Sequence, residues 1–215
     1  MLPFVAVLSF TKPTGLAFAL AMGLHVVTRF VARKYDPFPL RELIAAVSAT
    51  VISALLGYAW PFIAGAVTGV PDAYTATELS WRAPYVGWGG LVPFEPWFQG
   101  AKWWLERVGS TAAIGYVLLV VAVILFTVLL FTRPLKRIGV DLRIWIASWT
   151  IYLLAVFFPQ SSVFRLFMPI FPILGAVAQP KSLAYRIGII LLFIAGQIGW
   201  IYIAYWSDGY DWTPP

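Results

Sequence analysis

The sequence predicts an all-α, polytopic integral membrane protein with about six transmembrane helices, some short or broken, joined at one point by a long aromatic-rich external loop. Three observations carry this. Of 215 residues, 61% are hydrophobic and only 11% charged, and the mean hydropathy is +0.84, far outside the range of soluble domains. Several apolar runs reach the roughly 17–25 residues a bilayer crossing needs. The basic residues, finally, are concentrated in a few short connections, as expected where Lys and Arg set orientation.

Residues 1–10, MLPFVAVLSF, are too few to span and run into Thr11, Lys12 and Pro13, which read as the external edge of the next span. They are expected to be the stump of a longer helix, since neither a basic n-region nor a small-residue cleavage site marks them as a signal peptide. Spans follow at 14–31 and 43–67, then at 110–132 and 187–206. Between Arg143 and Gln179 the chain is apolar but interrupted by Pro159, Gln160, Ser161, Ser162 and Arg165, so two short spans are expected, 144–158 and 166–178, meeting at a polar turn.

The connections 29–42, 133–143 and 179–186 hold ten of the fifteen basic residues and three of the nine acidic ones. Positive-inside bias assigns all three to the cytoplasm. The connection 68–109, the turn 159–165 and the tail 207–215 then lie outside. No linker, repeat or low-complexity tract divides the chain, which is one membrane unit over residues 1–215.

Several chemistries are excluded. Cysteine is absent and histidine occurs once, as His25, so neither a disulfide framework nor a histidine-rich metal centre is available. Motifs for phosphate-loop nucleotide binding, zinc proteolysis and the nucleophile elbow of hydrolases are missing. The net charge of +6 does not signal nucleic acid, because the cations sit in three loops with a topological role. His25 reads as a packing or hydrogen-bonding residue within the first full span, near its cytoplasmic end, and Asp208 and Asp211 in the tail read as solvated.

Candidate chemistry lies on the external side. The long connection carries Trp81, Trp88, Trp97, Trp103 and Trp104, which suit either an interfacial anchor or a substrate groove. In TGVPDAYTATELSWR, residues 68–82, the carboxylates Asp72 and Glu78 accompany Arg82. Glu78 and Arg82 are spaced to pair on one helical face, if the segment is helical. The bland reading is a surface ion pair; the functional one has a carboxylate activating a hydroxyl while arginine holds a departing phosphate. Arg165, with Gln160, Ser161 and Ser162 just before it, would reach the headgroup level. There it could bind an anion through two parallel hydrogen bonds, snorkel to lipid, or pair with Glu78. Lys12 is a further external cation.

The stretches SFTKPTGLAFAL, AWPFIAGAVTGVPDAYTATELSWR and FPQSSVFRLFMPIFPILG resemble, respectively, the Arg-Pro-Thr-Gly segment, an external loop and the late Arg-containing turn of GT-C membrane glycosyltransferases. The likeness is to actinobacterial relatives of the second GPI-anchor mannosyltransferase. That resemblance implies transfer of a hexose, commonly mannose, from a polyprenyl-phosphate donor to an acceptor outside the membrane. It assigns Arg165 to the donor phosphate and makes Arg82, Lys12, Gln160, Ser161 and Trp81 candidate substrate contacts, with Glu78 and Asp72 as weaker catalytic candidates. No cofactor is implied within the chain beyond the lipid-linked donor, and a divalent metal is left open. Lys12 stands where the family has arginine and lacks the bidentate fork. The family's catalytic carboxylate precedes the matching region, so the chain is expected to be the C-terminal half of a longer enzyme, with an N-terminal half or other membrane subunits as partners, or else a relative without catalysis. The competing class is a non-catalytic membrane subunit with the aromatic loop as its contact surface; small-residue faces such as Ala45, Ala46, Ser48, Ala49 and Ser53 suit close helix packing, within the chain or against a partner. A transporter ranks last, because few charges lie within the spans.

Overall fold

The computed structural model describes residues 2–11 and 13–203. Over these residues the chain is helical without strands. Helix α1 (Leu2–Thr11) precedes α2 (Gly15–Ala32), α3 (Leu40–Gly57) and α4 (Ala59–Thr68). The segment between spans holds α5 (Ala73–Ser80), α6 (Ala83–Val86) and α7 (Glu95–Arg107), followed by α8 (Ala112–Leu130) and α9 (Arg133–Lys136). Then come α10 (Val140–Val156), α11 (Val163–Phe167), a 3₁₀ helix (Met168–Ile173), α12 (Leu174–Val177) and α13 (Leu183–Ile201).

Four helical segments are long and apolar enough to cross a membrane: Gly15–Ala32, Leu40–Thr68, Ala112–Leu130 and Leu183–Ile201. The 29-residue segment is not one uniform helix. Pro61 has no N–H for the Gly57 carbonyl and its ring crowds that turn, so the ladder breaks at Tyr58 between α3 and α4. Prolines also explain the irregular stretch after α10. Pro159 disfavours helical backbone at Phe158 and ends α10, while Pro169 and Pro172 remove two ladder donors and leave 3₁₀ geometry where a continuous span is expected.

The interior is built from α2, α3 and α10 by small residues. Ala46, Ala49, Ser53 and Gly57 form one buried stripe of α3, and on α2 Gly15, Ala17, Ala19 and Ala21 are buried. A Cβ on Gly57 would stand 2.8 Å from the Leu16 nitrogen, and the Ser53 hydroxyl donates to the Gly15 carbonyl at 2.8 Å. This close approach gives dispersion contact where lipid offers no hydrophobic driving force. Ala45 and Ser48, also expected on a contact face, are exposed. Ala17 packs with Trp149 and Leu153 of α10 to complete the core. By contrast α8 and α13 display apolar side chains along their length, the surface that hydrocarbon would solvate.

The basic connections converge at one end. His25 Nδ1 lies 2.7 Å from Asp141 Oδ1, Arg29 contacts Asp36 and Glu42 at 3.3 and 3.5 Å, and Arg137 donates to Gln179. The opposite end is roofed by α5, α6 and α7.

Candidate functional site

The roof is fastened to the end of α10. Because Pro159 lacks an N–H, the Ala155 carbonyl loses its helical donor, and the Phe94 N–H takes that place at 2.9 Å. Two indoles of α7 continue the seam: Trp97 Nε1 donates to the Leu153 carbonyl at 2.9 Å and Trp104 Nε1 to the Pro159 carbonyl at 2.8 Å. Gly100 lies between them, and any Cβ there would collide with the Pro159 ring. Phe94 has φ 70°, a left-handed conformation that costs a non-glycine residue about 1–2 kcal/mol; it turns the chain so that α7 starts at Glu95. On the far side α8 presses on α7 at Gly115, where a Cβ would sit 2.6 Å from the Ala101 carbonyl oxygen.

Arg82 is the central charge. Helix α5 stops at Ser80, so Arg82 does not continue the helical face of Glu78, and no ion pair joins the two among the described residues. Its backbone carbonyl instead accepts from Tyr85 and Val86 to start α6, while its side chain turns inward. Arg82 retains 6% of its accessible surface, and its buried Nη2 has no hydrogen-bond partner. Burial lowers the guanidinium pKa, partly offset by attraction to Glu95 and then Glu78. Burial, and next the charge of Glu78, raises the pKa of the nearby Tyr74 hydroxyl.

Two hollows flank this residue. A crevice of about 140 Å³ is bounded by Arg82, Gln99 and the loop Gly87–Trp88–Gly89–Gly90; Gly87 has φ 75°, which only glycine adopts without strain. A cleft of about 590 Å³ opens beside it, lined by Glu95, Gln99, Lys102, Trp103 and Glu106 of α7, with Tyr85, Phe98 and Tyr116. Val86 and Gln99 form walls of both hollows. Glu95 Oε1 accepts from Gln99 Nε2 at 2.9 Å, and Tyr85 is held between Trp103 at 5.0 Å and Phe158 at 5.2 Å.

The other sequence candidates are dispersed. Asp72 is exposed at the start of α5, and its side chain makes no capping bond. Glu78 is exposed and Trp81 is 48% exposed. Ser161 and Ser162 are buried and Gln160 half-buried, in the corner where the Ser161 carbonyl accepts from Trp200 Nε1 at 3.2 Å. Arg165 projects from α11, exposed, and pairs with no carboxylate, Glu78 included, among the described residues. Lys12, Asp208 and Asp211 lie outside the described residues. Sequence reasoning passed over Glu95, Gln99 and Tyr85. The signal was present, because Glu95, Phe98, Gln99, Lys102, Trp103 and Glu106 fall at i, i+3, i+4, i+7, i+8 and i+11, the repeat of one helical face.

The chain matches no protein-family model, no curated protein and no solved structure.

Proposed function

We propose that this chain is a membrane glycosyltransferase of the GT-C type, or the donor-binding part of one, taking a hexose from a polyprenyl-phosphate carrier and passing it to an acceptor outside the cell membrane. In this reading α10 and the broken segment Val163–Val177 are the fifth and sixth crossings, in addition to the four long ones. The basic end faces the cytoplasm and the roof of α5, α6 and α7 faces outward.

The observation that carries the proposal is the Arg82 guanidinium, buried with an unpartnered Nη2 on the wall of a glycine-edged crevice. A buried cation without a hydrogen-bonded anion is costly, and an anionic ligand would supply the missing acceptor. A phosphate leaving from an anomeric carbon gains charge as the bond breaks, and a fixed guanidinium in a drier site stabilises that charge more than water would. Arg165, exposed on its short helix, would meet the same carrier where it enters from the lipid. Glu78 lies within electrostatic reach of Arg82, whereas nothing links Asp72 to it; Glu78 is therefore the stronger of the two catalytic candidates.

The test is binding of a short-chain polyprenyl-phosphate mannose to the chain in lipid nanodiscs. Arg82→Gln and Arg165→Ala should each weaken it by about tenfold or more, as loss of a charge-assisted hydrogen bond does. Unchanged affinity in both variants would overturn the proposal. A second reading, a non-catalytic subunit, is favoured by α13: its apolar side chains remain exposed throughout, so it could serve as a contact for another membrane chain. Purification in mild detergent with a stoichiometric partner, and no donor binding, would favour it.

A further inference from the structure

The larger cleft is chemically unlike the Arg82 crevice. Its α7 wall carries two carboxylates, Glu95 and Glu106, against one ammonium, Lys102, together with the Gln99 amide, the Trp103 ring and, across the cleft, Tyr116 of α8. An anion is disfavoured there and is better served next door by Arg82. At about 590 Å³ the space lies within the roughly 300–1,000 Å³ of small-molecule sites. Aromatic walls bind apolar faces, and carboxylate, amide, ammonium and phenol groups together donate and accept several hydrogen bonds. A ring with an apolar C–H face and a rim of hydroxyl groups matches both features. A quaternary ammonium would suit the rings and carboxylates, but Lys102 already supplies a cation, and such a ligand offers no hydrogen bond to the Gln99 carbonyl or the tyrosine hydroxyls that line the cleft.

We infer that this cleft binds an uncharged saccharide, stacked on the aromatic wall and held through its hydroxyl groups by Glu95, Gln99 and Glu106. Calling it the acceptor rests on the glycosyl-transfer reading; the binding itself does not. Gln99, common to both hollows, puts the saccharide beside the anion crevice, and its bond to Glu95 orients the carboxylate at that junction.

The experiment is a calorimetric and tryptophan-fluorescence titration of the full chain in nanodiscs with mannobiose, maltose and choline. At least one disaccharide should bind saturably in the millimolar range or tighter. Glu106→Gln and Glu95→Gln should each weaken it by about tenfold, with helicity and melting temperature unchanged for Glu106→Gln, whose side chain is exposed. No disaccharide binding, affinity unaltered by both substitutions, or saturable choline binding displaced by neither sugar would overturn the inference. Disaccharide binding in a protein that fails to take up polyprenyl-phosphate mannose would support it while counting against the transfer reading.

Discussion

Replacing Arg82 with methionine should make the unliganded protein more stable and remove its response to the donor. Arg82 keeps 6% of its accessible surface and leaves its buried Nη2 unpaired. An unsatisfied buried polar group costs about 1–3 kcal/mol, and methionine preserves the packing of the aliphatic stem without the polar head. Attraction from Glu95 and Glu78 returns part of that cost, so the net gain lies near the lower end, about 1 kcal/mol. For a chain of this size that raises the melting temperature by about 2–4 °C. Donor should reverse the order. At a hundred times its dissociation constant it stabilises the wild type by about 2.7 kcal/mol, and Arg82→Met forfeits most of this. Thermal unfolding followed by tryptophan emission in nanodiscs, with and without polyprenyl-phosphate mannose, measures both effects. If Arg82→Met melts below the wild type without donor, the guanidinium is a structural partner of the two carboxylates, and the argument from an unpaired cation is refuted.

The remaining predictions concern the roof. Gly100→Ala drives a Cβ into the Pro159 ring and should cost about 1–3 kcal/mol, with red-shifted tryptophan emission as Trp97 and Trp104 leave their carbonyls; an unshifted spectrum and melting curve would contradict the seam. Tyr74 should titrate well above its ordinary value of about 10, because burial and then Glu78 favour the neutral hydroxyl. The stability it contributes is therefore intact below pH 10, about its unfolded value, and declines as alkaline pH ionises it. In ultraviolet absorbance titration Glu78→Gln should lower the midpoint while leaving the larger share due to burial; an unmoved midpoint would separate the two groups.

The long crossings were legible in the chain because uninterrupted apolar length is a local property. The break at Pro159 was legible too, whereas those at Pro61, Pro169 and Pro172 fall inside apolar runs expected to be continuous spans, because hydropathy does not register a missing N–H. Ala46, Ala49 and Ser53 were anticipated on a contact face, but Ala45 and Ser48 were expected there too and are exposed, and only packing adds Gly57 and selects the buried stripe. The roof was harder to read. Its five tryptophans suggested an interfacial belt, and their abundance masked the helical repeat that begins at Glu95. Arg165 attracted notice because it stands alone among apolar residues, whereas Arg82 sits in a polar stretch that reads as solvent-facing. What singles out Arg82 is its burial, a property of the packed molecule that the polar composition of residues 68–82 does not announce. The resemblance to glycosyltransferases directed attention to the end that α5, α6 and α7 roof, but Glu95 and Gln99 lie beyond the stretches that carry it.

Trp104 and Trp200 both give their indole N–H groups to the 159–161 corner, which ties α7 and α13 to the same short piece of backbone. Neither helix can swing without breaking a bond that an apolar environment would not replace. The Gly87–Gly90 ribbon beside the crevice has no comparable tie at its glycines, where an added side chain would meet nothing within 4 Å. A guest in these hollows would be met by a firm floor.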